Sequence, residues 1–188
     1  FRGGAQVDTV EIRDYQYVRN QYFYLDDLYR GQLNDFAALN TGIPDDFDAS
    51  AAVDERSLQV YINDFNVSND PEQLARPGRA DANTGNPNDQ RTGYSEVGTW
   101  HRLDPDNDYA LVGELGYIVL RTPVQDRHAL AVTYRTVAGD QIGTTPELPD
   151  SLRLRLIKPR DARPDFPTWN LEWKNVYRIV RGFSQGDR

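Results

Sequence analysis

The chain has 188 residues, enough for one domain with its own core, and because only 38% of residues are hydrophobic, 11 Tyr, 7 Phe and 3 Trp must supply much of the packing. A formal net charge of −8 argues against a phosphate-backbone partner, so no nucleic acid is expected, and the lack of cysteine excludes disulfides, thiolate nucleophiles and cysteine-type zinc sites. With no methionine, Phe1 is not a translation start, and residues 1–188 are expected to form a single β-rich module of a larger protein.

Val10 and Ile12 stand two apart, and Tyr15 and Tyr17 continue that spacing, which predicts an opening extended segment. Asn20–Arg30 packs aromatics at both strand-like and helix-like spacings, and Phe36 and Leu39 predict a short helical continuation. In Ser57–Asn63, Leu58, Val60 and Ile62 share one face, as a half-buried strand requires. Residues 63–108 are rich in Asn, Asp, Gly and Pro and read as a long loop excursion with one strand near Trp100. Tyr109–Val112 and Tyr117–Leu120 form two short strands around a Gly-Glu-Leu-Gly corner. Leu130, Val132 and Tyr134 alternate along the next strand, and Ala138-Gly-Asp140 turns it into a hairpin. Leu152, Leu154 and Leu156 face inward from the last regular strand, with Arg153 and Arg155 outward. Short strands without intervening helices predict an all-β fold, an antiparallel sandwich or jelly roll with one or two short helices.

The residues that carry hydrolytic or zinc chemistry do not stand in the required patterns. No serine sits in a Gly-x-Ser-x-Gly elbow, and His101 and His128 share no metal-binding spacing. Glu96 and Glu114, near strand ends, are read as solvated charges and not as a glycosidase pair. Asp104-Pro-Asp-Asn-Asp108 places the carboxylates of Asp104, Asp106 and Asp108 at alternating positions, the start of a calcium-chelating pattern. Asp45, Asp46 and Asp48 are a second candidate for the same ion, and calcium is the only cofactor the residues suggest. The Tyr15–Tyr29 cluster is either core packing or a sugar-stacking platform, with Tyr22 and Tyr24 as its candidate ring faces.

The closing stretch Pro167-Thr-Trp-Asn-Leu-Glu-Trp-Lys-Asn-Val-Tyr177 resembles the SprA (Sov) family, whose pattern there is Pro-x-Trp-Asp-Leu-Met-Met-Lys-Asn-Val-Tyr. Trp169, Leu171, Lys174, Asn175 and Tyr177 fit, while Asn170, Glu172 and Trp173 depart from it. Tyr17–Arg30, Leu115–Leu120, and Ala129–Tyr134 continuing to Leu152–Lys158 are similar in the same order, so the resemblance spans nearly the whole chain outside the Asn/Asp-rich excursion.

That family forms the outer-membrane translocon of the bacterial type IX secretion system, linked to gliding motility. The resemblance implies a non-catalytic module of a very large β-barrel protein, located in the cell envelope and meeting the membrane only through the parent barrel. Its implied partners are the rest of that barrel, shuttle or plug subunits, and secreted cargo proteins. Read on its own pattern, the closing stretch is expected to be a strand with Trp169, Leu171 and Trp173 on one face. Core anchoring or docking is the expected role of Trp169, Trp173 and Tyr177. The alternative from a different class is a cell-surface carbohydrate-binding or adhesion module, in which Tyr22 and Tyr24 would stack on sugar.

Overall fold

A computed structural model describes residues 13–33, 49–70, 75–82, 89–144 and 151–178. Nine strands and one short α-helix, α1 (Asp27–Leu33), are joined by single turns of 3-10 helix among these residues, so the fold is mostly β, as the alternation predicts. The strands are β1 (Tyr22–Tyr24), β2 (Gln59–Asn63), β3 (Arg76–Asp81), β4 (Ser95–Arg102), β5 (Tyr109–Val112), β6 (Tyr117–Leu120), β7 (Ala129–Arg135), β8 (Gln141–Ile142) and β9 (Leu152–Lys158).

Five of them close on themselves. β2 pairs with β4, β4 with β3, β3 with β9, β9 with β7, and β7 returns to β2 over Gln59–Asn63. Only the β3–β9 pairing in that ring is parallel, and closure removes the exposed edges that an open sheet must otherwise protect. β8 hangs on β7 through the Gly139 hairpin, in the register Tyr134↔Ile142. The remaining strands form a separate antiparallel sheet in the order β1-β6-β5.

A ring of five strands leaves a narrow lumen, and the sequence fills it with two aromatic side chains among Leu and Ala. Trp100 is fully buried there with Tyr61, Ala80, Ala129, Ala131, Leu152, Leu154 and Leu156. Its indole Nε1 donates to the Gly78 carbonyl at 3.2 Å. A Cβ on Gly78 would lie 2.7 Å from the Leu152 Cβ, so the position accepts no side chain without movement. Because alternate residues point to opposite faces, Val60, Leu130 and Val132 are directed outward and meet Phe23, Tyr24, Tyr109, Ile118 and Leu120 of the smaller sheet. The two sheets therefore share a second core on the outside of the ring.

Three expectations differ from the structure. Residues 63–108 are not one loop with a single strand, because β3 also lies there, hydrogen-bonded between β4 and β9. Its Pro77 and Gly78 disguise it, and Pro77 is tolerated at a position before pairing to β9 begins at Gly78. Asp14–Gln16 is a 3-10 turn, so Tyr15 projects into solvent at 66% exposure and does not extend a strand. Trp169–Leu171 is also a 3-10 turn, entered after Pro167 and Thr168, so Trp169 and Trp173 do not share a strand face. The expected positions Val10, Ile12, Phe36, Leu39, Asp45, Asp46 and Asp48 lie outside the described residues.

Candidate functional site

The closing stretch is fastened to the start of the fold. Trp173 donates its backbone N–H to the Tyr22 carbonyl at 2.9 Å, Val18 donates to Val176 at 2.7 Å, and Tyr17 pairs with Tyr177 in an antiparallel bridge. The Asn20 N–H donates to the Glu172 carboxylate at 2.6 Å, and Asn20 itself takes a left-handed conformation, with φ of 58°. Such a φ is less strained for Asn than for most residues.

Two indoles in this stretch have different environments. Trp173 is half-buried, with its ring centroid 5.5 Å from Tyr24 and 5.2 Å from Tyr117, the latter edge-on. Trp169 instead receives the Lys174 ammonium 4.2 Å from its ring centroid, and the same ammonium donates to the Trp169 carbonyl. Burial lowers the pKa of Lys174, against the opposing pull of Glu172. Anchoring therefore describes Trp173 through its two ring contacts, while Trp169, Tyr22 and Tyr177 are half-buried like it.

Tyr24 is buried at 3% exposure, and burial pushes its hydroxyl up to about 12. Its ring cannot serve as a stacking face for sugar, which leaves Tyr22 alone of that pair. The Asp104–Asp108 segment uses its carboxylates internally. Asp104 accepts from the Asp106 N–H at 2.9 Å and from the Asn107 side chain at 2.8 Å, while Asp108 accepts from the Asp104 N–H at 2.7 Å. These bonds make a self-capped turn, and Asp104, Asp106 and Asp108 do not converge as a ligand set. His128 lies on the wall of a cleft of about 260 Å³ with Ile62, Leu103, Leu120 and Val124, where burial lowers its pKa against the opposing pull of Asp64.

The structure instead brings together Asp64, Asp70 and His101, which the sequence separates by up to 37 positions. Their potential ligand atoms all lie within 4.8 Å of one another. His101 is placed opposite Ile62 in the β2–β4 register, and the segment leaving β2 folds back over it. Asn63 accepts from the Phe65 N–H at 2.9 Å, Asp64 from the Asn66 N–H at 3.0 Å, and Asn66 from the Ser68 N–H at 3.3 Å. These successive side-chain turns, with Phe65 at a φ of 57°, curl the segment until Asp70 also reaches His101.

His101 Nε2 stands 3.2 Å from Asp70 Oδ1 and 3.6 Å from Asp64 Oδ1. The Asn69 amide donates to Asp64 Oδ2 at 2.7 Å. Burial acts to raise the Asp64 pKa, but the hydrogen bonds from Asn69 and Asn66 and the nearby His101 outweigh it and hold the carboxyl below the ordinary carboxylate range. Asx-rich composition foretold a turn here, while no linear spacing foretold the convergence.

The sequence matches no protein-family model, and no curated protein matches it significantly. Among the described residues, no helix is long and apolar enough to cross a membrane, which leaves crossing by β-strands open.

Proposed function

We propose that this chain is a non-catalytic structural and interaction module of an outer-membrane protein-translocation channel similar to the SprA family. Its partners are the parent barrel, shuttle or plug subunits, and cargo proteins passing through that channel. The resemblance of four ordered segments, closing with Pro167–Tyr177, motivates the reading.

The observation that carries it furthest is the pairing of Tyr17 with Tyr177. A module whose first and last described segments meet at such a bridge can interrupt a longer chain with little displacement, as inserted domains do. Trp173 supports that arrangement by holding the leaving segment against Tyr24 and Tyr117. The stretch that resembles the family also meets the start of the fold, through the fitting residue Tyr177 and through Glu172 and Trp173, which depart from the family pattern. Trp169, Tyr22 and Tyr177, half-exposed near that closure, are the docking residues of this reading.

Antiserum raised against the chain, used on fractionated cells of the source bacterium, tests the proposal. The expected signal is a polypeptide many times larger than 21.5 kDa in the outer-membrane fraction. In-frame removal of the module should then reduce export of secreted proteins while the parent protein stays in that fraction. A soluble product of about the chain's own mass would overturn the reading.

A further inference from the structure

We infer that Asp64, Asp70 and His101 form a binding site for a divalent transition-metal ion of the zinc class. The deciding group is His101. It is 2% exposed, yet neither of its ring nitrogens makes a hydrogen bond. Buried polar groups left in that condition are uncommon, and an ion bound at Nε2, the nitrogen that faces both aspartates, supplies a partner there. The 3.2 Å from Nε2 to Asp70 is short enough for a hydrogen bond but is not aligned as one.

Metal coordination accounts for the same distances without that alignment. Zinc bonds of about 2.05 Å to nitrogen and oxygen put tetrahedral ligand atoms roughly 3.3 Å apart. The observed separations of 3.2 and 3.6 Å from Nε2 to the two carboxylate oxygens bracket that value. An ion placed among them would meet one neutral imidazole lone pair and two anionic oxygens, a donor set suited to zinc and its neighbours and unlike the all-oxygen shell that calcium prefers. Asn69 already holds the second oxygen of Asp64, as outer-shell groups commonly hold metal-binding carboxylates.

The ligands come from two elements. His101 belongs to β4 in the closed ring, whereas Asp64 and Asp70 bracket the segment that follows β2. A bound ion therefore clamps that segment to the ring. Both aspartates keep about one-fifth of their side chains accessible, so an ion can enter from solvent, and three protein ligands leave a fourth position for water.

Calorimetric titration of the chelator-treated chain with Zn²⁺ tests the site, with Co²⁺ as a spectroscopic probe and Ca²⁺ as the hard-ion control. One equivalent of Zn²⁺ should bind with a dissociation constant of micromolar order or tighter and raise the melting temperature. His101→Gln and Asp70→Asn should each weaken binding at least tenfold and abolish the ligand-field absorption of bound Co²⁺. Asp70→Asn changes a partly accessible side chain and keeps the test valid if the His101 variant does not fold. Absence of saturable Zn²⁺ binding, equal affinity for Ca²⁺ and Zn²⁺, or undiminished binding by a folded Asp70→Asn variant would each overturn the inference.

Discussion

Trp173 packs against Tyr24 with ring centroids 5.5 Å apart, and this contact joins the end of the described chain to its first strand. Tyr117, on the strand beside Tyr24, closes the cluster edge-on. The leaving segment is thus held by aromatic packing as well as by its backbone bonds to Tyr22 and Val18.

Trp173→Ala should lower the unfolding free energy by about 2–3 kcal/mol, since it removes both packed area and the ring contacts. Trp169→Ala, which chiefly gives up the Lys174 contact, should lower it by about 0.5–1 kcal/mol. Urea unfolding followed by far-ultraviolet circular dichroism measures both. Equal losses at the two positions would contradict the distinction between anchor and half-exposed surface.

Gly78→Ala should destabilise by about 2 kcal/mol or more, because the new methyl meets the Leu152 Cβ and the Trp100 ring inside the closed sheet. Trp100→Phe should cost about 2–3 kcal/mol by leaving a void and removing the indole hydrogen bond to the Gly78 carbonyl. Denaturant midpoints read both effects, and near-wild-type midpoints would mean that the lumen is looser than the distances indicate.

The glycines of α1 and of the β5–β6 corner should respond with opposite signs. Gly31 lies in α1 with no heavy atom within 4 Å of an added Cβ, so Gly31→Ala should stabilise by about 0.5–1 kcal/mol. Gly116 has a φ of 60°, and its Cβ would lie 2.1 Å from the Tyr29 ring. Gly116→Ala should therefore destabilise by about 3 kcal/mol or more. Thermal melts of the two variants, shifted in opposite directions, are the expected result.

Stability should rise between pH 8 and 10. Lys158 is buried, its ammonium donates to the carbonyls of Asp126 at 2.8 Å and His128 at 2.6 Å, and burial lowers its pKa from 10.5 to about 8. In this window the unfolded chain binds the proton and the folded chain does not, so unfolding becomes less favourable as pH increases. The gain from this group is about 2 kcal/mol by pH 10. Above pH 10 the sign reverses, because burial holds Tyr24 and Tyr109 at about 12 and the unfolded chain ionises first. Urea titrations across pH 7–11 should trace a maximum near pH 10, and Lys158→Met should flatten its rising side. A steady decline from pH 7 would refute the assignment.

The alternating sequences of β2, β7 and β9 were legible because Leu, Val or Ile recurs at every second position in each strand, a period that needs no knowledge of the partner strand. The Tyr109–Val112 and Tyr117–Leu120 pair and the Gly139 hairpin were legible for a similar local reason: their turn residues lie between apolar runs. The 3-10 turn at Trp169 was not, since its alternation of large apolar and polar residues imitates a strand while the packing of Trp173 against Tyr24 and Tyr117 selects a bent path.

By itself, then, the sequence determined a mostly β chain, the faces of its main strands, and the aromatic character of its closing stretch, because burial periodicity is a local property. Only the tertiary structure decided that five strands close around Trp100, that Pro77 and Gly78 belong to one of them, and that Asp64, Asp70 and His101 converge. Those outcomes depend on which strands pair and in what register, and pairing is set by contacts between residues far apart in the chain.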